Sequence, residues 1–135
     1  MTGFAEVEAF ALTLPETTSS PSYGGAPALR VNKVLVARLR GEMADDVDER
    51  TGAPYGEVLM VKVADLGEKD ALLASDPATY FTVPHYDGYP AVLVRLAVAD
   101  PGELRELLTE AWMRVAPKRA LTAYVDTVGP LPGDG

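Results

Sequence analysis

The sequence predicts an α+β domain of two layers, an antiparallel sheet of about five strands with helices packed on one face. Three observations carry that expectation. Two β-patterned runs flank Asn32-Lys33, a strongly capped amphipathic helix follows Asp100, and the elements run helix, three strands, helix, one or two strands, helix. At 135 residues, 47% hydrophobic and 24% charged, the chain has the size and balance of one soluble domain. That domain is expected over residues 1–125, with a loop at 41–56 and a flexible tail at 126–135.

In the opening segment Phe4, Val7, Phe10, Ala11 and Leu14 recur at helical spacing and Pro15 ends the run, so a short amphipathic helix is expected. Residues 17–27, rich in Ser, Thr, Gly and Pro, read as a loop. Strands follow over 28–31 and 34–40, joined at Asn32-Lys33, where Asn tolerates the left-handed backbone of a tight hairpin. Simple alternation puts Leu35, Ala37 and Leu39 on one side of the second strand, and Val34, Val36, Arg38 and Arg40 on the other. A third strand is expected at 57–63.

Asp65 with Glu68 three residues on marks a helix start, and Asp76-Pro77 its stop. A short strand is expected at 80–83 and an almost wholly apolar one at 91–98, interrupted by Arg95. The next helix is the clearest element. Asp100 caps it, Pro101 takes the first helical position, Leu104, Leu107, Leu108, Ala111, Trp112 and Val115 form one stripe, and Pro117 ends it. Residues 118–125 read as a further short helix. The uncovered face of the sheet is left to water or a partner.

Charge and composition narrow the function. The net charge is −8, and the 41–56 loop, with Glu42, Asp45, Asp46, Asp48 and Glu49 against Arg50, holds half of it. Such a balance repels nucleic acid and anionic membranes at long range, so binding to either needs a local basic face. No apolar run reaches the roughly 20 residues that span a bilayer, and the acidic start fits neither a secretory nor a transit signal; a cytoplasmic protein is expected. With no cysteine there is no disulfide, thiol nucleophile or thiolate metal site. The one histidine, His85, cannot build an imidazole metal site, and Asp46-x-Asp48 fails as a calcium loop because Arg50 and Thr51 take the next ligand and glycine places. No metal or other cofactor is expected.

Catalytic signatures are missing as well. There is no nucleophile elbow, phosphate loop or dinucleotide-binding turn, and the four serines lie in loops or at a helix end. His85 has the chemistry of a general base, but between Pro84 and Tyr86 a hydrogen-bonded structural role fits it better. The bases are more informative. Arg38 and Arg40 share a strand face, Arg30 and Lys33 belong to the same hairpin, and Arg95 interrupts an apolar strand, so several cations fall on one sheet surface. Contact with phosphates is one reading; the polar positions of a half-solvated sheet, with Arg95 paired to a carboxylate, is the other. Arg114, Lys118 and Arg119 gather near the end of the long helix, where cations offset its dipole.

Over residues 84–96, Pro84-His85-Tyr86-Asp87-Gly88-Tyr89-Pro90 and the apolar strand after it, the sequence resembles the MmcQ/YjbR family of small bacterial proteins. The hairpin at 31–39, the helix and Asp-Pro stop at 70–81 and the helix with its Ala-Pro-Lys-Arg end at 103–119 resemble that family in the same order. The resemblance implies a fold similar to secretion chaperones and a "double-wing" label of DNA binding, with no enzymatic activity and no cofactor. It carries over Lys33, Arg38, His85, Tyr86, Gly88, Tyr89, Pro90, Arg95, Trp112, Pro117, Lys118 and Arg119. The 41–56 loop departs from the family's short turn, and its acids oppose a phosphate backbone.

Two functions therefore stand as expectations, both non-enzymatic and both for a monomer or weak dimer. One is weak DNA binding through Arg30, Lys33, Arg38, Arg40, Arg95, Lys118 and Arg119; neutralising about five phosphates would give a salt slope near −4.5. The other is a module that takes a protein or small ligand on the open sheet face or the His85 to Tyr89 segment. A contiguous basic face favours the first, a groove rimmed by tyrosines the second.

Overall fold

A computed structural model of the chain describes residues 3–21, 26–40 and 56–128. The acidic loop expected at 41–56 lies outside the described residues apart from Gly56, as does the 129–135 part of the expected tail. In chain order the elements are α1 (Phe4–Ala11), β1 (Thr17–Pro21), β2 (Pro27–Val31), β3 (Val34–Leu39), β4 (Val58–Lys62), α2 (Leu66–Ser75), β5 (Tyr80–Phe81), a 3-10 turn (Pro84–Tyr86), β6 (Ala91–Arg95), α3 (Pro101–Val115) and α4 (Lys118–Val128). The strands form one antiparallel sheet in the order β1-β2-β3-β4-β6-β5.

The capping residues act as their chemistry dictates. The Asp65 side chain accepts the Glu68 N–H at 2.8 Å and Asp100 accepts the Glu103 N–H at 2.9 Å, each satisfying a donor that the first helical turn leaves without a partner. Gly3 cannot cap α1, and Glu57, far away in sequence, accepts the Phe4 N–H at 3.1 Å instead. Asn32 and Lys33 take φ of 48° and 73°, the paired left-handed turn that matches strand twist. The stripe on α3 is buried from Leu104 through Trp112 and packs on the sheet with α1, Ala120 and the partly buried Leu121 and Tyr124 of α4. Trp112, 1% exposed, donates from its indole N–H to the Pro15 carbonyl at 2.8 Å.

Several expectations need correction. Residues 17–21 are not loop but the edge strand β1, paired to β2 from Thr17 opposite Val31 to Pro21 opposite Pro27, which makes six strands. Strand pairing here outweighs a loop-like composition, and Pro21 sits at an edge, where a missing N–H costs no ladder bond. The apolar run at 91–98 is strand only to Arg95, because the chain turns at 96–98. The helix expected at 118–125 continues to Val128, into the segment expected as tail.

The faces of β3 also differ from simple alternation. Leu29 pairs with Ala37 but Arg30 pairs with Leu35, so Val36 is the extra residue of a bulge. Val36, Ala37 and Leu39 face the helices, while Leu35 turns to the opposite face, the side of Arg38. That face is not bare. A second cluster of Val58, Met60, Ala91 and Leu93 is closed over by Tyr86, with Leu35, Phe81 and Val83 at its margin. Among the described residues no helix is long and apolar enough to cross a membrane.

A tyrosine-rimmed pocket on the strand face

The face away from the helices is ordered by one unbroken cross-strand row, Ser20, Ala28, Arg38, Met60, Leu93 and Phe81, one residue from each strand. Residues directly opposite one another share a face, so Arg38 stands beside Met60. One register step away Arg40 donates its N–H to the Val58 carbonyl at 2.8 Å, and Arg95 pairs with Val58 from the far side. Arg30 lies opposite Leu35 and donates to Ser20 Oγ at 3.2 Å. The structure thus brings Arg30, Arg38, Arg40 and Arg95 to one face, with Lys33 at the hairpin tip.

Lys118 and Arg119 stand elsewhere. They open α4, whose Ala120 and Leu121 belong to the helix-side core. Arg119 donates to Glu16 at 2.6 Å, and that hydrogen bond, with the Glu16 charge behind it, holds its guanidinium pKa above the ordinary value. The two basic groups inferred from sequence are therefore split between opposite layers. Arg114, read as a dipole-compensating cation, has a tertiary job: it donates to the Lys62 carbonyl at 2.9 Å and lies 3.9 Å from Glu68. Arg95 donates to the Ala78 carbonyl at 3.0 Å.

The family-motif segment folds back over the strand face. Its 3-10 turn closes with the Tyr86 N–H on the Val83 carbonyl, and Gly88, at φ of 74°, takes the left-handed position that lets the Tyr89 N–H return to the Tyr86 carbonyl at 3.0 Å. Pro90 then delivers the chain into β6. From α2, Lys69 reaches underneath: 4% exposed, it donates from Nζ to the carbonyls of Tyr86 at 2.6 Å and Tyr89 at 3.0 Å. A buried ammonium on two backbone carbonyls fixes the segment that carries both tyrosines. Sequence reading missed Lys69; the available signal was a lysine standing three residues after Leu66 and three before Leu72, on an otherwise apolar spacing.

Between this segment and the sheet lies a pocket of about 250 Å³ lined by Leu35, Arg38, Met60, His85, Tyr86 and Tyr89. Tyr86 is 7% exposed and accepts a hydrogen bond at its hydroxyl from Arg38 Nη2 at 3.2 Å, while Tyr89, 39% exposed, presents its ring at the mouth. The His85 ring stands edge-on to Tyr86 at 5.1 Å, a packing contact. The Lys62 ammonium lies 6.0 Å from the centroid of the Tyr89 ring, adding a second cation to the rim. Arg38 Nε is buried and has no hydrogen-bond partner among the described residues. A buried guanidinium donor left unmade is costly. Among the described residues no three acids and histidines gather closely enough to hold a metal ion.

Comparisons with known proteins agree on the fold. The model of the YjbR family matches residues 12–114. The uncharacterized protein Rv2570 of Mycobacterium tuberculosis and the uncharacterized protein Mb2600 of Mycobacterium bovis are each 45% identical over 104 residues, covering 74% of this chain and 81% of theirs. The crystal structure of Deinococcus radiodurans protein DR2400, with its DUF419 domain, superposes with a TM-score of 0.65 at 20% identity, covering 100% of this chain and 96% of that one. The antiparallel sheet, the helix layer over it and the matched span lead to one assignment: the chain belongs to the YjbR family.

Proposed function

We propose that this chain is a non-enzymatic binding module of the cytoplasm, and that its site is the Arg38 pocket, which takes a nucleotide unit. The single observation that carries the reading is the half-buried Arg38 guanidinium, its Nε donor unmet, in the lining of a pocket walled by tyrosines. Arginine matches a phosphate with parallel N–H donors, and the exposed Tyr89 ring gives a base a face to stack on. Leu35 and Met60 supply the apolar floor. The unit can be a free nucleotide or one residue of a single strand; both offer a phosphate beside a planar base.

Duplex binding by all seven candidate cations is the weaker reading, because Lys118 and Arg119 occupy the other layer and Arg119 is held by Glu16. A pocket that seats one or two phosphates gives a salt slope of about −1, far below the −4.5 of a broad backbone interface. Titration at low salt with a short labelled single strand, its duplex and a nucleoside monophosphate separates the sources. The expected result is single-strand or monophosphate binding weakened about tenfold by Arg38→Gln and by Tyr89→Ala, since one stacked base contributes roughly 1–3 kcal/mol. Binding that is absent at low salt, or indifferent to both substitutions, overturns the proposal. A slope near −4.5 with preference for duplex restores the broad basic face.

A further inference from the structure

On the helix side a groove of about 410 Å³ runs between α2 and α3, lined by Glu68, Ala71, Leu72, Ser75, Tyr80, Glu103, Glu106, Leu107 and Glu110. Glu103, Glu106 and Glu110 recur along one side of α3, so their carboxylates are strung over about 10 Å at roughly 1.5 Å per residue. Like charges at such spacings destabilise a helix, and among the described residues none of the three has a cation in contact. Tyr80 is a second, independent feature. Its side chain stands on the helix face, opposite Val94, and is 5% exposed. Tyr80 is part of the groove lining, and its hydroxyl makes no hydrogen bond among the described residues. Burial first, then the charges of Glu103, Asp76 and Asp100, raise the Tyr80 pKa and keep the phenol neutral, with lone pairs available to accept.

The carboxylates are too dispersed to coordinate one metal ion, and Leu72 and Leu107 provide an apolar strip between them. Of the lining acids, Glu68 has a cation nearby, the Arg114 guanidinium at 3.9 Å, which also bonds the Lys62 carbonyl. The volume is that of a small-molecule site, and carboxylates spaced along an apolar strip match a short flexible chain that alternates ammonium groups with methylenes. We infer that this groove binds an aliphatic polyamine, its methylenes on Leu72 and Leu107, its ammonium groups on Glu103, Glu106 and Glu110, and one N–H on the Tyr80 hydroxyl.

Calorimetric titration of spermidine into the full chain at low salt tests this, with Mg²⁺ at matched ionic strength and a lysine-rich peptide as comparisons. One saturable site is expected, weakened about tenfold or more by the exposed double substitution Glu106→Gln/Glu110→Gln and about threefold by Tyr80→Phe. Replacing the acids at 42–49 should leave the site unchanged. The inference falls if no saturable heat appears, if the loss follows the 42–49 acids, if Mg²⁺ competes equally well, or if the peptide binds more tightly than spermidine. Amide shifts in α2 and α3 on spermidine addition, in variants with unchanged melting, guard against misfolding as the cause of a loss.

Discussion

The two faces of the sheet are closed by different means. On one, α1, α3 and α4 bury a continuous apolar layer, with Trp112 and Leu104 almost wholly removed from water. On the other, one short segment carrying Tyr86 covers a cluster of Val58, Met60, Ala91 and Leu93, and its attachment depends on polar contacts from Lys69 and Arg38. Burial of apolar area is non-directional and supplies stability, whereas a lid held by a few directed hydrogen bonds leaves a pocket at its rim. The helix face therefore holds the fold and the strand face carries the candidate site.

The sharpest break in that contrast compares two aromatic deletions. Trp112→Ala should cost about 3–5 kcal/mol in urea denaturation, enough to consume much of the stability of a domain this size. Tyr86→Ala should cost visibly less and leave a cooperative, folded chain without its pocket. Equal losses would show that the strand-face cluster is as much a foundation as the helix layer. A smaller effect is expected for Lys69→Met, about 1–3 kcal/mol, because the Tyr86 and Tyr89 carbonyls lose their donor. Hydrogen exchange should then quicken at residues 86–91 while α3 amides keep their protection. Uniform loss of protection would contradict a local role for the clamp.

The smallest effect belongs to Tyr80. Its folded-state pKa is raised above 10.0 by burial and neighbouring carboxylates, so its stabilising contribution is complete below pH 10 and is lost as pH rises through the folded value. Tyr80→Phe should flatten that alkaline decline and leave the profile at neutral pH with the same slope. An unchanged alkaline slope in the variant would place the titrating group elsewhere.

Local chemistry was legible in the sequence wherever the cause was local. Asn32-Lys33 announced the hairpin, Asp65 and Asp100 announced their helices, and the apolar stripe through Trp112 announced the buried side of α3. The motif from His85 to Tyr89 marked the segment that lines the pocket. What escaped depends on partners distant in sequence. The strand β1 exists because β2 pairs with a Thr- and Ser-rich segment, and Leu35 changes face because a bulge absorbs Val36. Lys69 became significant only when the carbonyls of Tyr86 and Tyr89 arrived above it. The sequence separates the cations into a hairpin-and-strand group and a helix-end group, but that they lie in opposite layers shows only in the fold, where α4 packs on the face away from Arg38.

The decisive expectation is that nucleotide binding is confined to the strand face. Amide chemical-shift mapping of the full chain during titration with a nucleoside monophosphate, or with a short single strand if the monophosphate does not bind, tests it most directly. Saturable shifts are expected at Leu35, Arg38, Met60 and residues 85–89, with the helical core around Trp112 silent. Shifts centred on Lys118 and Arg119, or spread evenly over both layers, would contradict it.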